Sequence, residues 1–74
     1  MKTMITMEMK ETGGLRAIYL DEALEIAIKT KEIETETEKE LILQALQNPF
    51  SIIDCEEFFL YKDMHYHSVF GDQQ

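Results

Sequence analysis

The chain has 74 residues, enough for one domain, and its 15 Asp and Glu against 7 Lys and Arg give a formal charge of −8. That balance argues against binding nucleic acid, which needs Lys and Arg to neutralise phosphates, and against an anionic membrane surface. No apolar stretch approaches the roughly 20 residues of a membrane span, the start lacks the basic and apolar regions of a signal peptide, and the lone Cys55 leaves no intramolecular disulfide.

Taken in chain order, residues 3–11 alternate, with Ile5, Met7 and Met9 on one side and Thr6, Glu8 and Lys10 on the other. A period of two is that of a half-buried strand. Gly13-Gly14 precedes a second apolar run, Leu15 to Leu20. Two glycines between strand-like runs predict a hairpin, because both tolerate positive φ.

Asp21 then reads as a helix N-cap with Glu22 in the first turn. Leu24, Ala27, Ile28 and Lys31 recur at helical spacing, which predicts a helix from about Asp21 to Lys31. Two capping boxes follow, Thr35 with Glu38 and Thr37 with Glu40. With Leu41, Ile42, Ala45 and Leu46 behind them, they predict a second helix from about Glu36 to Gln47, stopped at Asn48-Pro49.

The last third returns to strands: Phe50 to Ile53, Phe58 to Tyr61, and Met64 to Phe70, with 71–74 as a frayed tail. All four Phe and two of the three Tyr fall in this segment, so it is expected to supply much of the core. Grouped strands and grouped helices indicate one α+β domain over residues 1–74: a mainly antiparallel sheet, made of an N-terminal hairpin and a C-terminal meander, with two helices on one face.

Little in the sequence points to catalysis. Cys55 stands among Asp54, Glu56 and Glu57, and anions raise a thiol pKa, so it reads as a small buried apolar residue. Asp63, His65 and His67 share one strand parity, yet a third strong metal ligand at suitable spacing is missing, and the bland reading is a wet sheet face. No phosphate loop and no nucleophile elbow is present. The chain is expected to be no enzyme and to need no cofactor or metal.

The unusual feature is the row Glu32, Glu34, Glu36, Glu38 and Glu40, one acid at every second position. In extended chain these would share a face at intervals of roughly 6.6 Å, similar to the interval between successive phosphates along a DNA strand. The alternative is that Glu36 to Glu40 begin a helix, where the N-terminal dipole favours acids. Either way residues 21–40 hold eight acids against three lysines, with Asp21, Glu22 and Glu25 as a second anionic group. Asp54, Glu56 and Glu57 would extend the patch if the meander folds beside the helices.

In length and acidity the chain resembles small acidic bacteriophage proteins that disable host enzymes by mimicking DNA. More narrowly, it is similar to phage inhibitors of the bacterial DNA polymerase sliding clamp. The resemblance implies a cytoplasmic inhibitor of a host DNA-binding protein that fills the clamp's cationic DNA channel, and charge pattern, not a shared motif, selects Glu32, Glu34, Glu36, Glu38 and Glu40, with Asp21, Glu22 and Glu25, as the acids to face it. Gln44 to Phe50 matches only in part the clamp-binding pattern Gln-x-x-aliphatic-x-aromatic-aromatic, because Gln47 stands at the aliphatic position. That departure favours the channel over the peptide pocket. The alternatives are a phage inhibitor of a CRISPR nuclease, a repair enzyme or RNA polymerase, and a small accessory binding subunit that mimics nothing. A homodimer is expected, since a core this small gains from self-association.

Overall fold

A computed structural model describes residues 3–62. The element order is β1 (Met4–Met9), β2 (Leu15–Tyr19), α1 (Leu20–Thr30), α2 (Glu36–Gln47), β3 (Ile52–Asp54) and β4 (Phe58–Lys62). The strands form one sheet in the order β2-β1-β4-β3, with every neighbouring pair antiparallel. The fold is α+β, as the grouping of elements predicts. The third strand expected at Met64 to Phe70, the tail at 71–74 and the Asp63, His65 and His67 set lie outside the described residues.

Strand register explains which face is buried. Ile5 pairs with Ile18, Met7 with Leu60, and Ile53 with Leu60, and residues directly opposite share a face. These side chains join Ala23 and Ala27 of α1 and Leu46 of α2 in a single core cluster. Ala23, Ala27, Ile5 and Leu60 are completely inaccessible. The two alanines stand four apart, on the stripe of α1 that meets the sheet, and their small side chains let the helix seat closely. The opposite face carries exposed Met4, Leu15, Tyr19 and Ile52, and also the buried Thr6 and Tyr61, whose phenol donates to Glu8 Oε1 at 2.8 Å.

The described part of the last third supplies Ile53, Cys55, Leu60 and Tyr61 to the buried residues, while its phenylalanines are less enclosed. Phe58 and Phe59 are half-buried and Phe50 is 74% exposed. Phe50 lies in the turn before β3, not in a strand, and its N–H donates to Asn48 Oδ1 at 2.9 Å. Among the described residues the core cluster is mainly aliphatic.

The hairpin turn also differs from the expected glycine pair. Only Gly13 has positive φ, +74°. Its N–H donates to the Met9 carbonyl at 2.8 Å, and Met9 N–H donates to the Gly14 carbonyl at 2.9 Å. Gly14 is therefore already part of the ladder, and the reversal is made by residues 10–13.

Asp21 is not the N-cap of α1. Tyr19 holds that position without a side-chain cap, and Asp21 and Glu22 lie in the first turn. The reason is continuity: β2 runs straight into α1, and Leu20 N–H donates to the Thr3 carbonyl at 3.0 Å. The chain leading into β1 thus satisfies one of the N–H groups that a helix start leaves without an intrahelical partner. At the other end, Ile33 N–H donates to the Ile28 carbonyl at 2.9 Å and Glu32 N–H to the Lys29 carbonyl at 3.3 Å. This 6→1 and 5→2 pair is a Schellman motif, with Glu32 in the left-handed position at φ 54°.

Of the two overlapping capping boxes, the structure uses the first. Thr35 Oγ1 accepts from Glu38 N–H at 3.2 Å and lies 2.9 Å from Glu38 Oε1, to which it donates. Thr37 is inside the helix and exposed. Thr35→Ala is accordingly expected to cost about 1 kcal/mol of stability, and Thr37→Ala to stay within about 0.5 kcal/mol. Urea unfolding of the two variants checks this; equal losses would contradict the assigned cap.

Candidate functional site

The acidic row meets three backbone conformations in nine residues. Glu32 is in the left-handed turn that ends α1, Glu34 is in the connecting segment, and Glu36, Glu38 and Glu40 are in α2. The row is therefore not a single extended face. At 100° per residue, Glu36 and Glu40 share one stripe of α2 and Glu38 points to another side. The phosphate-like spacing does not hold along its length.

What the structure retains is exposure. Asp21, Glu22, Glu25, Glu32, Glu34, Glu36, Glu38 and Glu40 are all exposed. On α1, Glu25 follows Glu22 by three residues and Asp21 by four, which places these three on one solvent-facing stripe. It lies away from the Ala23 and Ala27 stripe because each apolar contact with the sheet forces the polar residues between outward.

Neutralisation within this set is slight. Lys39 Nζ reaches Glu36 Oε1 at 3.4 Å, a surface pair three residues apart on α2, where Glu36 is 90% exposed. Such pairs contribute little. Glu38 bonds to the cap of its own helix through Thr35. Among the described residues, none of the other six has a side-chain hydrogen bond or ion pair.

The acids of the β3–β4 turn behave differently. Asp54 pairs with Lys10, whose backbone N–H also donates to the Glu57 carbonyl at 3.1 Å. The same ammonium lies 4.9 Å from the centre of the Phe59 ring. Lys31 Nζ donates to the Asp54 carbonyl at 3.2 Å, so this turn abuts the C-terminal end of α1. Glu56 and Glu57 line a shallow recess of about 340 Å³ with Met9, Lys10 and Glu11. These contacts place Glu56 and Glu57 beside the β1–β2 hairpin, while Lys10 partly compensates Asp54. Sequence reading missed Lys10 as the organiser of this corner, since its partners are 44 and 47 residues away in the chain.

A second recess, about 390 Å³, runs between the helices and is lined by Glu25, Ile26, Ile28, Lys29 and Lys39. Among the described residues no group of three His, Cys, Asp or Glu is placed to hold a metal ion. Cys55 is buried at the start of the β3–β4 turn, and its N–H donates to the Phe58 carbonyl at 2.9 Å. Burial pushes its thiol pKa up, and Asp54 adds to this, against the opposing pull of Lys31 and Lys10. A thiol held protonated is a poor nucleophile. No described helix is long and apolar enough to cross a membrane.

Comparison with known proteins found no match among family models, curated sequences or solved structures.

Proposed function

We propose that this chain is an acidic bacteriophage protein that inhibits a host DNA-binding protein by taking the place of DNA. Its favoured target is the bacterial DNA polymerase sliding clamp, whose cationic DNA channel it occupies in the host cytoplasm, so that replication stops. The observation that carries this reading is the exposure of all eight acids, of which Glu36 alone has a lysine partner among the described residues. An anionic surface that is not neutralised internally is attracted into a confined cationic channel, where potential is focused. The protein acts by occupancy and carries out no reaction, with no cofactor or bound nucleic acid. A CRISPR nuclease, a repair enzyme or RNA polymerase offers a similar cationic channel and is the alternative target class. A non-mimic accessory subunit would instead bind through apolar contacts, with little dependence on salt.

Self-association is part of the proposal. The sheet face opposite the described helices exposes Met4, Leu15, Tyr19 and Ile52, whereas the helical layer carries the eight candidate acids. Two copies meeting through the sheets keep those acids apart and outward. Sedimentation equilibrium is expected to give a dimer at micromolar concentration that Leu15→Glu dissociates; a wild-type monomer would remove this part of the account.

Mimicry predicts strong dependence on charge. Clamp affinity is expected to fall as salt rises, because screening shortens to about 10 Å at 0.1 M and about 3 Å at 1 M. Replacing Glu32, Glu34 and Glu36 together with Gln is expected to weaken binding at least roughly tenfold, a loss of the size seen when central interface contacts are removed. Calorimetry at low and high salt measures both. Unchanged affinity of the triple variant would remove the mimic reading for that segment.

A further inference from the structure

β2 is an outer strand of the described sheet, and its bonds to β1 fix which of its residues face the open edge. Met9 N–H donates to the Gly14 carbonyl at one end of the pair, and Leu20 N–H to the Thr3 carbonyl at the other. Bonded positions alternate along an antiparallel pair. Arg16 and Ile18 therefore direct their backbone groups at Met7 and Ile5, while Leu15 and Ala17 turn both N–H and C=O away from β1. Among the described residues no hydrogen bond satisfies these outward groups.

The two edges of the sheet are built differently. Proteins keep sheet edges from pairing with other chains by short strands, proline, charge or cover. β3 is three residues long and follows closely on Pro49. Cys55 N–H bonds to the Phe58 carbonyl, so by the same alternation the Asp54 carbonyl points out of the sheet. There it accepts from Lys31 Nζ at 3.2 Å. β2 lacks these devices. It runs five residues in unbroken register with β1, without proline, lysine or acid, and Leu15, Arg16 and Ala17 are exposed.

This edge is complementary to itself. In a two-fold antiparallel pairing centred on Ala17, each Ala17 exchanges both backbone bonds with its counterpart. Leu15 then stands opposite Tyr19 and Arg16 opposite Ile18. Centring the pair on Arg16 would set like charges directly opposite, which is destabilising. Charge also favours a second copy at this place over others. The chain carries −8, so most approaches set carboxylates against carboxylates, whereas β2 contains none.

We infer that β2 is the interface with a second copy of this chain, the two strands pairing about Ala17 to join both sheets into one. This rests on the self-association proposed above and locates it: the sheets meet at their β2 edges. Residues opposite each other in a sheet share a face. Both helical layers, with their candidate acids, therefore lie on one side of the joined sheet. Leu15, Ala17 and Tyr19 of both copies lie on the other, where Leu15 of one copy packs beside Tyr19 of the other.

The test is oxidative cross-linking of the full chain carrying Ala17→Cys or Met4→Cys, beside sedimentation equilibrium of the wild type. Paired Ala17 positions stand about 5.5 Å apart between Cα atoms, within the span of a disulfide. Met4 lies one strand further in, so its two copies are at least about 14 Å apart, three strand spacings, and out of reach. Ala17→Cys is expected to give a disulfide-linked dimer as the main product. Met4→Cys is expected to stay at the background of the wild type, whose Cys55 is buried. A wild-type dimer in which Ala17→Cys stays unlinked, or Met4→Cys links as readily, would overturn the edge interface while leaving self-association in place. A wild-type monomer would remove self-association itself, and the interface with it.

Discussion

The close seating of α1 on the sheet is the contact on which the rest of the molecule depends. It is made through Ala23 and Ala27, both fully buried against a face built from Ile5, Met7, Ile18, Ile53 and Leu60. Larger residues at these positions would lift the helix, since a packed interior accepts extra volume only with strain. With this stripe committed to the sheet and Leu20, Leu24 and Ile26 packed half-buried beside it, the polar positions of α1 are turned outward. The acids at 21, 22 and 25 therefore become surface charge as a consequence of packing. Leu46 does the same for α2, and Glu36 and Glu40 point outward.

A core of this size leaves little surplus stability to spend against self-repulsion. The structure meets that constraint by local means at one corner. Lys10 draws Asp54 and the β3–β4 turn toward the β1–β2 hairpin, and Lys31 ties the end of α1 to the same turn. The acidic segment between the helices receives no such treatment beyond the weak Lys39–Glu36 pair. Where cations are few, their placement determines which acids remain uncompensated. Here these are mainly the acids of the helical layer and of the turn between the helices.

Much of this arrangement is legible in the sequence because it is encoded locally. The period-two alternation of Ile5, Met7 and Met9 and the capping chemistry ahead of Leu41 specify a strand and a helix without long-range information. The predicted bounds of α2 coincide with those found, Glu36–Gln47. The failures arise where a distant group replaces a local one. Asp21 resembles a cap, but β2 runs directly into α1, so the helix begins at Leu20, whose N–H is taken by the distant carbonyl of Thr3. Gly13 and Gly14 resemble a two-residue turn, yet Gly14 is drawn into the ladder by Met9. The alternating glutamates suggest one extended face, but the Thr35 cap starts a helix in the middle of the row. The exposure of each candidate acid is not readable from charge pattern, since it depends on which helix stripe meets the sheet, and neither is the left-handed turn at Glu32, because glycine is the usual sign of that conformation.

The central claim is that the acidic surface and DNA compete for one site. The most direct measurement loads a bacterial sliding clamp onto closed circular DNA, so that the ring cannot slide free, and then measures binding of the chain to loaded and to empty clamp. The account predicts binding to the empty ring and none to the ring already threaded by DNA. Equal binding to both would contradict it, since the chain would then be docking on a surface that DNA leaves open.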